Sequence, residues 1–307
     1  MRRRTVAILG SGHVARAAAR LILRRNAWWA GREGFSFRVH SIPGGAIAGH
    51  GGPGLWVETE SRLDALAIAP PTPGVLPSVE DLLGLLGAEP GIVVDASPRW
   101  QTTSLLLEAV RRGHAIVLAS DAPLIADVAS FRILTADRRG RCEAAVAGGL
   151  PVASALESAL DGGDPVLAVD ADLGPHGSSD AWEPPLAPPD RVARQALVLD
   201  RLLGGDRRLE AVQVAPEDGG WLATVGSVRV RAAAATPDDV PGARPRATVT
   251  LTTALQRDPP LQISGPLPSP ERLAAAVLRD LLALAREEDK PWRVDRRSRA
   301  GAGQAIR

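Results

Sequence analysis

The sequence predicts an α/β unit built on a parallel sheet, followed by an α+β unit. Three observations predict it. Over the first 150 residues short apolar runs alternate with helical patterns, as in a parallel sheet flanked by helices. A glycine-rich turn separates the first run from the first helix. After Pro151 the runs alternate polar and apolar residues and are broken by Pro, Asp and Gly turns.

In order, the strand candidates of the first unit are residues 5–9, 37–42, 92–95 and 115–118. Helices are predicted over 14–25, 79–86 and 103–112, each with apolar residues at three- and four-residue spacing. Residues 44–74, rich in Gly, Pro and Ala, read as a surface loop with one turn of helix near 63–67. In the second unit, a helix over 152–160 stops at Asp161-Gly162-Gly163, and a strand over 166–173 leads into a polar, Pro-rich loop over 174–189. An amphipathic helix over 190–203 has Asp190 as N-cap and Gly204-Gly205 as its stop. Runs near 209–214, 221–230 and 247–255 read as antiparallel strands. A long helix over 268–286 precedes an Arg-rich tail from 292 to 307. The expected organisation is a nucleotide-binding unit over 1–150 completed by the helix at 268–290, a substrate and dimerisation unit over 151–267, and a tail over 291–307.

Composition narrows the function classes. The 307 residues suffice for two cores, and a net charge of +1 argues against nucleic acid or an anionic membrane as partner. Of the 36 basic residues Lys290 is the only lysine, which nearly excludes lysine acid–base chemistry; arginine stays protonated. Cys142 is the only cysteine, so an internal disulfide is impossible and a reducing cytoplasm is expected. The apolar run after Met1-Arg2-Arg3-Arg4 is too short for a signal peptide, and no run approaches a membrane span.

Gly10-Ser11-Gly12-His13-Val14-Ala15 follows a strand and opens a helix, the context of a Rossmann-type dinucleotide fingerprint. Gly10 would permit the tight turn. Gly12 would let a pyrophosphate approach the free N–H groups of the helix, with His13, Val14 and Ala15 in its first turn. The alternative is a turn that only packs tightly. No Asp or Glu ends the second strand, Arg38-Val39-His40-Ser41-Ile42, so discrimination against a 2′-phosphate weakens and NADP is favoured slightly over NAD. No arginine follows to clamp that phosphate.

Four further segments extend the pattern: Ile92-Val93-Val94-Asp95-Ala96-Ser97-Pro98, Leu118-Ala119-Ser120-Asp121-Ala122-Pro123, Cys142-Glu143-Ala144-Ala145-Val146-Ala147-Gly148-Gly149-Leu150-Pro151, and Ile263-Ser264-Gly265-Pro266. In order and spacing the chain resembles homoserine dehydrogenase, a family of nicotinamide-dependent oxidoreductases. The resemblance implies that Ser97 and Gly265 border the cofactor, that Glu143 helps to hold a monovalent cation, and that the second sheet pairs across a homodimer. It also implies a substrate-bordering loop at Gly174-Pro175-His176-Gly177-Ser178-Ser179-Asp180. The departures fall where that family carries its chemistry. Asp121 replaces the lysine of the family's T-A-N-K turn, and Arg194 replaces the lysine of its D-x-x-x-K helix, here Asp190-Arg191-Val192-Ala193-Arg194. His176 stands for an asparagine, Ile42 for the acid that ends the second strand, and Leu267-Pro268-Ser269 for glycines. An acidic segment that would grip the substrate amine is largely missing.

Of the implied set, His176 alone has an unperturbed pKa near neutrality, so it is the expected acid/base. Arg194 would hold a substrate carboxylate, with Asp190 orienting it or the substrate. The anion at Asp121 would favour an amine or imine. The plainer roles are a loop cap for His176, an intrahelical pair for Asp190 and Arg194, and a solvent-facing Asp121. The expected function is an NAD(P)-dependent oxidoreductase repurposed for a small amino- or keto-acid derivative, as in specialised metabolism. The alternative is a non-redox relative: a lyase, regulatory partner or pseudoenzyme.

Overall fold

The structure, a computed structural model, describes residues 2–10, 12–42, 55–57, 59, 78–87, 89–97, 99–136, 139–174, 188–217, 220–233 and 246–287. Two six-stranded sheets organise it. The first is built from β1 (Arg2–Leu9), β2 (Phe35–Ile42), β3 (Leu55–Val57), β4 (Ile92–Asp95), β5 (Ala115–Leu118) and β6 (Gly140–Arg141), in the order β3-β2-β1-β4-β5-β6. All its neighbours pair in parallel except β3, which runs antiparallel to β2. The strand order reverses between β1 and β4. In open α/β sheets that crevice, at the carboxyl ends of the strands, is where ligands bind.

Side chains alternate along each buried strand. Val6, Ile8, Val94 and Val117 face one cluster; Ala7, Leu9, Val93 and Ile116 face the other. The first cluster is closed by α1 (His13–Arg32) and α8 (Pro270–Glu287), through Ala15, Ala18 and Ile22 on one and Ala274, Val277 and Leu281 on the other. The C-terminal helix therefore packs on the first sheet although most of the second lies between them in sequence. On the opposite face lie α2 (Val79–Leu86), α3 (Thr102–Arg111) and α5 (Val128–Thr135), contributing Leu82, Leu106 and Leu134. Each fully buried Leu or Ile contributes roughly 1.5–3 kcal/mol by transfer alone. Ser78 starts α2 as a capping box: its hydroxyl accepts from Asp81 N at 3.0 Å, and the Asp81 carboxylate accepts from Ser78 N at 3.3 Å.

The second sheet comprises β7 (Val166–Asp172), β8 (Gln213–Glu217), β9 (Gly220–Val225), β10 (Val228–Ala233), β11 (Arg246–Thr253) and β12 (Leu261–Pro266), in the order β12-β11-β7-β10-β9-β8. Its inner face, with Val169, Ala223, Val230 and Val249, packs under α7 (Pro188–Leu202) in the same apolar cluster as Val93 and Ile116. One core thus runs from the first sheet into the second.

Several sequence expectations need correction. The run 221–230 is two strands, β9 and β10, folded at Gly226, whose φ of +57° suits glycine. The run 209–214 is a single turn of 3₁₀ helix at Leu209–Ala211 leading into β8. The sheet is not wholly antiparallel, since β10 pairs with β7 in parallel. Helix α7 begins at Pro188, so Asp190 lies in its first turn and is not its N-cap. Two short helices, α4 (Ala122–Ala126) and α5, follow β5 where the sequence reading placed no element. The segment 63–67, residues 175–187 of the Pro-rich loop, and the tail from 292 lie outside the described residues.

Candidate functional site

At the end of β1, Gly10 has φ +113°, and a Cβ there would stand 2.7 Å from the Ala96 carbonyl oxygen. Only glycine fits that approach. It brings the β1–α1 turn against the loop after β4, where Ala96 N donates to Leu9 O at 2.9 Å and Ser97 is buried. Gly12 is the N-cap of α1, without a side-chain cap and with no acidic residue in the helix's first turn. A Cβ at Gly12 would meet nothing within 4 Å among the described residues. The leading amides of this 20-residue helix carry no side-chain cap, which suits a pyrophosphate. His13 Nδ1 lies 3.3 Å from Arg16 Nη2 at this mouth, while Val14 and Ala15 are buried in the core.

Asp95 closes the floor beside it. Its carboxylate accepts from Ser97 N at 3.0 Å and from Thr102 Oγ1 at 2.8 Å, and full burial pushes its pKa up to about 7. This acid ties the loop after β4 to the start of α3.

The second cluster forms where β5 ends. Asp121 is buried, and its backbone carbonyl accepts from Leu124 and Ile125 to start α4. Its Oδ1 accepts a 2.6 Å bond from Arg194 Nη2 on α7. Gln195 reaches Asp121 Oδ2 at 3.5 Å and donates to Ala145 O at 3.0 Å, while its Oε1 accepts from Ala147 N at 3.0 Å. The Asp121 carboxyl is raised by burial, against the opposing charge of Arg194. Ala119, Asp121, Ala145, Arg191, Gln195 and Leu273 border a cavity of about 40 Å³. That is room for a few waters.

The expected site residues divide under this geometry. Asp121 and Arg194 meet, and Asp121 does not face solvent. Asp190 is exposed and makes no ion pair with Arg194, whose partner is Asp121. The Asp121 charge is therefore already neutralised, which removes the argument that it selects a substrate amine. His176 lies outside the described residues. Gly265 is on β12 opposite Ala247, and its face is covered by the Arg272 guanidinium. Glu143 is buried with both oxygens engaged, accepting from Ala153 N at 2.9 Å and Ser154 N at 3.1 Å in the first turn of α6 (Val152–Asp161). Its neighbour Asp280 accepts from Glu143 N at 3.0 Å and is pushed up to about 7 by burial and then by the Glu143 charge. Among the described residues no three or more His, Cys, Asp or Glu side chains group as metal ligands.

Sequence reasoning missed Gln195 and Arg191. A signal for Gln195 existed: it is a polar residue set among Val192, Ala193, Ala196 and Leu197 on the face of α7 that turns inward.

These features define a protein with a dinucleotide-type α/β sheet and a second sheet joined to it through one core. Its fold is that of the homoserine dehydrogenases. The homoserine dehydrogenase of Thermoplasma acidophilum superposes with a TM-score of 0.68 at 18% identity, over 93% of this chain and 100% of that one. A protein of unknown function from Candida auris gives 0.66 at 17%, over 93% and 99%. A hyperthermophilic archaeal homoserine dehydrogenase in complex with NADPH gives 0.63 at 15%, over 93% and 98%. No protein-family model and no curated protein matches the sequence. Among the described residues no helix is long and apolar enough to cross a membrane.

Proposed function

We propose that this chain is an NAD(P)-dependent oxidoreductase acting on a small amino- or keto-acid derivative. The observation that carries the reading is the uncapped, acid-free N-terminus of α1, opened by Gly12 and set against the loop after β4 by Gly10. NADP is favoured over NAD because no acid ends β2, and one of the structural neighbours is a complex with NADPH. Gly10, Gly12, the first turn of α1 and Ser97 would hold the dinucleotide, with Gly265 at its border. A bound nicotinamide would supply the hydride.

Arg191 and Asp121 border the small cavity, and the one Asp121 carboxylate feels the charge of both Arg194, its ion-pair partner, and Arg191. The surplus of one positive charge suits a substrate carboxylate, held bidentately. His176 would give a proton to the carbonyl oxygen, and Asp190, exposed at the start of α7, would act on the substrate side. Glu143 and Asp280 form a buried acid pair whose charge a monovalent cation would offset. The outer face of the second sheet, exposed along β8, supports pairing into a homodimer. The lone, buried Cys142 supports a cytoplasmic location.

The test is a titration of the purified protein with NADPH and NADH, followed by energy transfer from tryptophan to the reduced nicotinamide. Saturable binding, tighter for NADPH, is expected. No binding of either to the folded protein would remove the redox reading and leave a non-redox role for the same fold.

A further inference from the structure

A second cavity, of about 580 Å³, lies between α5, α6, the C-terminal end of α7 and α8. Its volume falls within the range of small-molecule sites. Apolar walls come from Leu156, Leu160 and Leu202. The charged residues around it are almost all committed. Arg141 pairs with Glu157 at 2.7 Å and Glu287 at 2.5 Å, and Arg279 donates to Gly149 O at 2.8 Å. Glu143 is spent on the α6 amides and Asp280 on Glu143 N, while Arg132 and Asp161 are exposed.

Arg201 is the exception. This wall residue is only 3% exposed, yet its one hydrogen bond among the described residues goes to the Leu124 carbonyl, and its Nε has no partner. Asp127 and Asp200 are the acids that act on it, but neither pairs with it. Asp127 accepts from Ser130 N at 2.7 Å and Oγ at 2.5 Å, and Asp200 is bound to Arg207 at 2.6 Å. A buried guanidinium without an anion is costly, and an anion entering the cavity would relieve it.

We propose that this cavity binds a small organic monocarboxylate, with its carboxylate on Arg201 and its apolar body along Leu156, Leu160 and Leu202. Among the described wall residues Arg201 is the one buried guanidinium without an anion, which favours a carboxylate there, and the leucines select an apolar tail over a free inorganic anion. The site borders the first one. Leu124 belongs to α4, which starts at the Asp121 carbonyl, and the segment after Cys142 has Glu143 on this cavity and Ala145 on the other.

The test is calorimetric titration of the full chain with butanoate, hexanoate and octanoate, against the alcohol and the amine of each length, with and without NADPH. Saturable binding of one carboxylate per chain is expected, tighter as the tail lengthens and independent of any dinucleotide response. Arg201→Gln should weaken it at least tenfold. If that variant does not fold, Ala283→Phe, which fills the cavity from α8, decides by abolishing binding while the melting temperature holds. Three results overturn the proposal: no saturation through the millimolar range, equal affinity for acid and alcohol, or preference for the amine, which would assign the cavity to Glu143 and Asp280.

Discussion

Asp121 at the end of β5 and Arg194 on α7 form a 2.6 Å ion pair that joins the first sheet to the helix covering the second. Their side chains are 9% and 16% exposed, so neither charge has water to fall back on. Removing one partner of such a pair typically costs about 3–5 kcal/mol, whereas replacing both with apolar residues is often near neutral. Asp121→Asn should therefore lower the urea midpoint sharply, and Asp121→Leu with Arg194→Leu should recover most of the loss. A single variant that unfolds like the parent would show the pair to be dispensable.

The two glycines of the first turn should separate fold from function. Gly10→Ala places a Cβ 2.7 Å from the Ala96 oxygen at φ +113°, which is expected to cost about 1–3 kcal/mol or more in thermal unfolding. Gly12→Val adds its side chain where no described residue lies within 4 Å of the Cβ, so the melting temperature should hold. Dinucleotide affinity should fall at least tenfold. Equal affinity in this variant would mean that the dinucleotide does not use this turn.

Asp95 makes stability depend on pH with a defined sign. Burial raises its carboxyl from 3.8 to about 7 in the folded protein. Between those values the unfolded chain is ionised while the native state keeps its proton, so stability falls as pH rises through that window and levels off above it. The contribution is on the order of 4 kcal/mol at most. Asp95→Asn, which can still accept from Ser97 N, should flatten this slope and be the more stable protein at pH 8. Superimposable pH profiles for the two proteins would refute it.

Asn26 completes an unpaired strand edge. Among the described residues strand β3 covers β2 over Val39, His40 and Ser41, and at Phe37 the Asn26 side chain takes over, accepting from the amide at 2.9 Å and donating to the carbonyl at 2.8 Å. Asn26→Leu strands both backbone groups and is expected to cost about 2–4 kcal/mol. Hydrogen exchange at the Phe37 amide should quicken with it.

Much of the first sheet was legible because its strands are buried on both faces and read as plain apolar runs: Ile92–Asp95, Ala115–Leu118 and helix Val79–Leu86 match the expected bounds. The glycine turn was legible because Gly10 answers a local demand, a positive φ. The helices α4 and α5 were not. Helix α4, of five residues, is too short to show a period and is held by the Asp121 carbonyl and the Arg201 bond to Leu124, which are turn-specific or long-range contacts.

The division follows from the range of the forces. Local rules wrote the alternating elements, the turn at Gly10–Gly12 and the Ser78 cap into the sequence, since each depends on residues a few positions apart. Tertiary structure alone decided which charges meet. Arg194 lies one helical turn from Asp190 but pairs with Asp121, 73 positions away, because burial makes an ion pair matter where solvent would screen it. It likewise placed Gln195 on the backbone of Ala145 and Ala147, and left Arg201 buried without an anion.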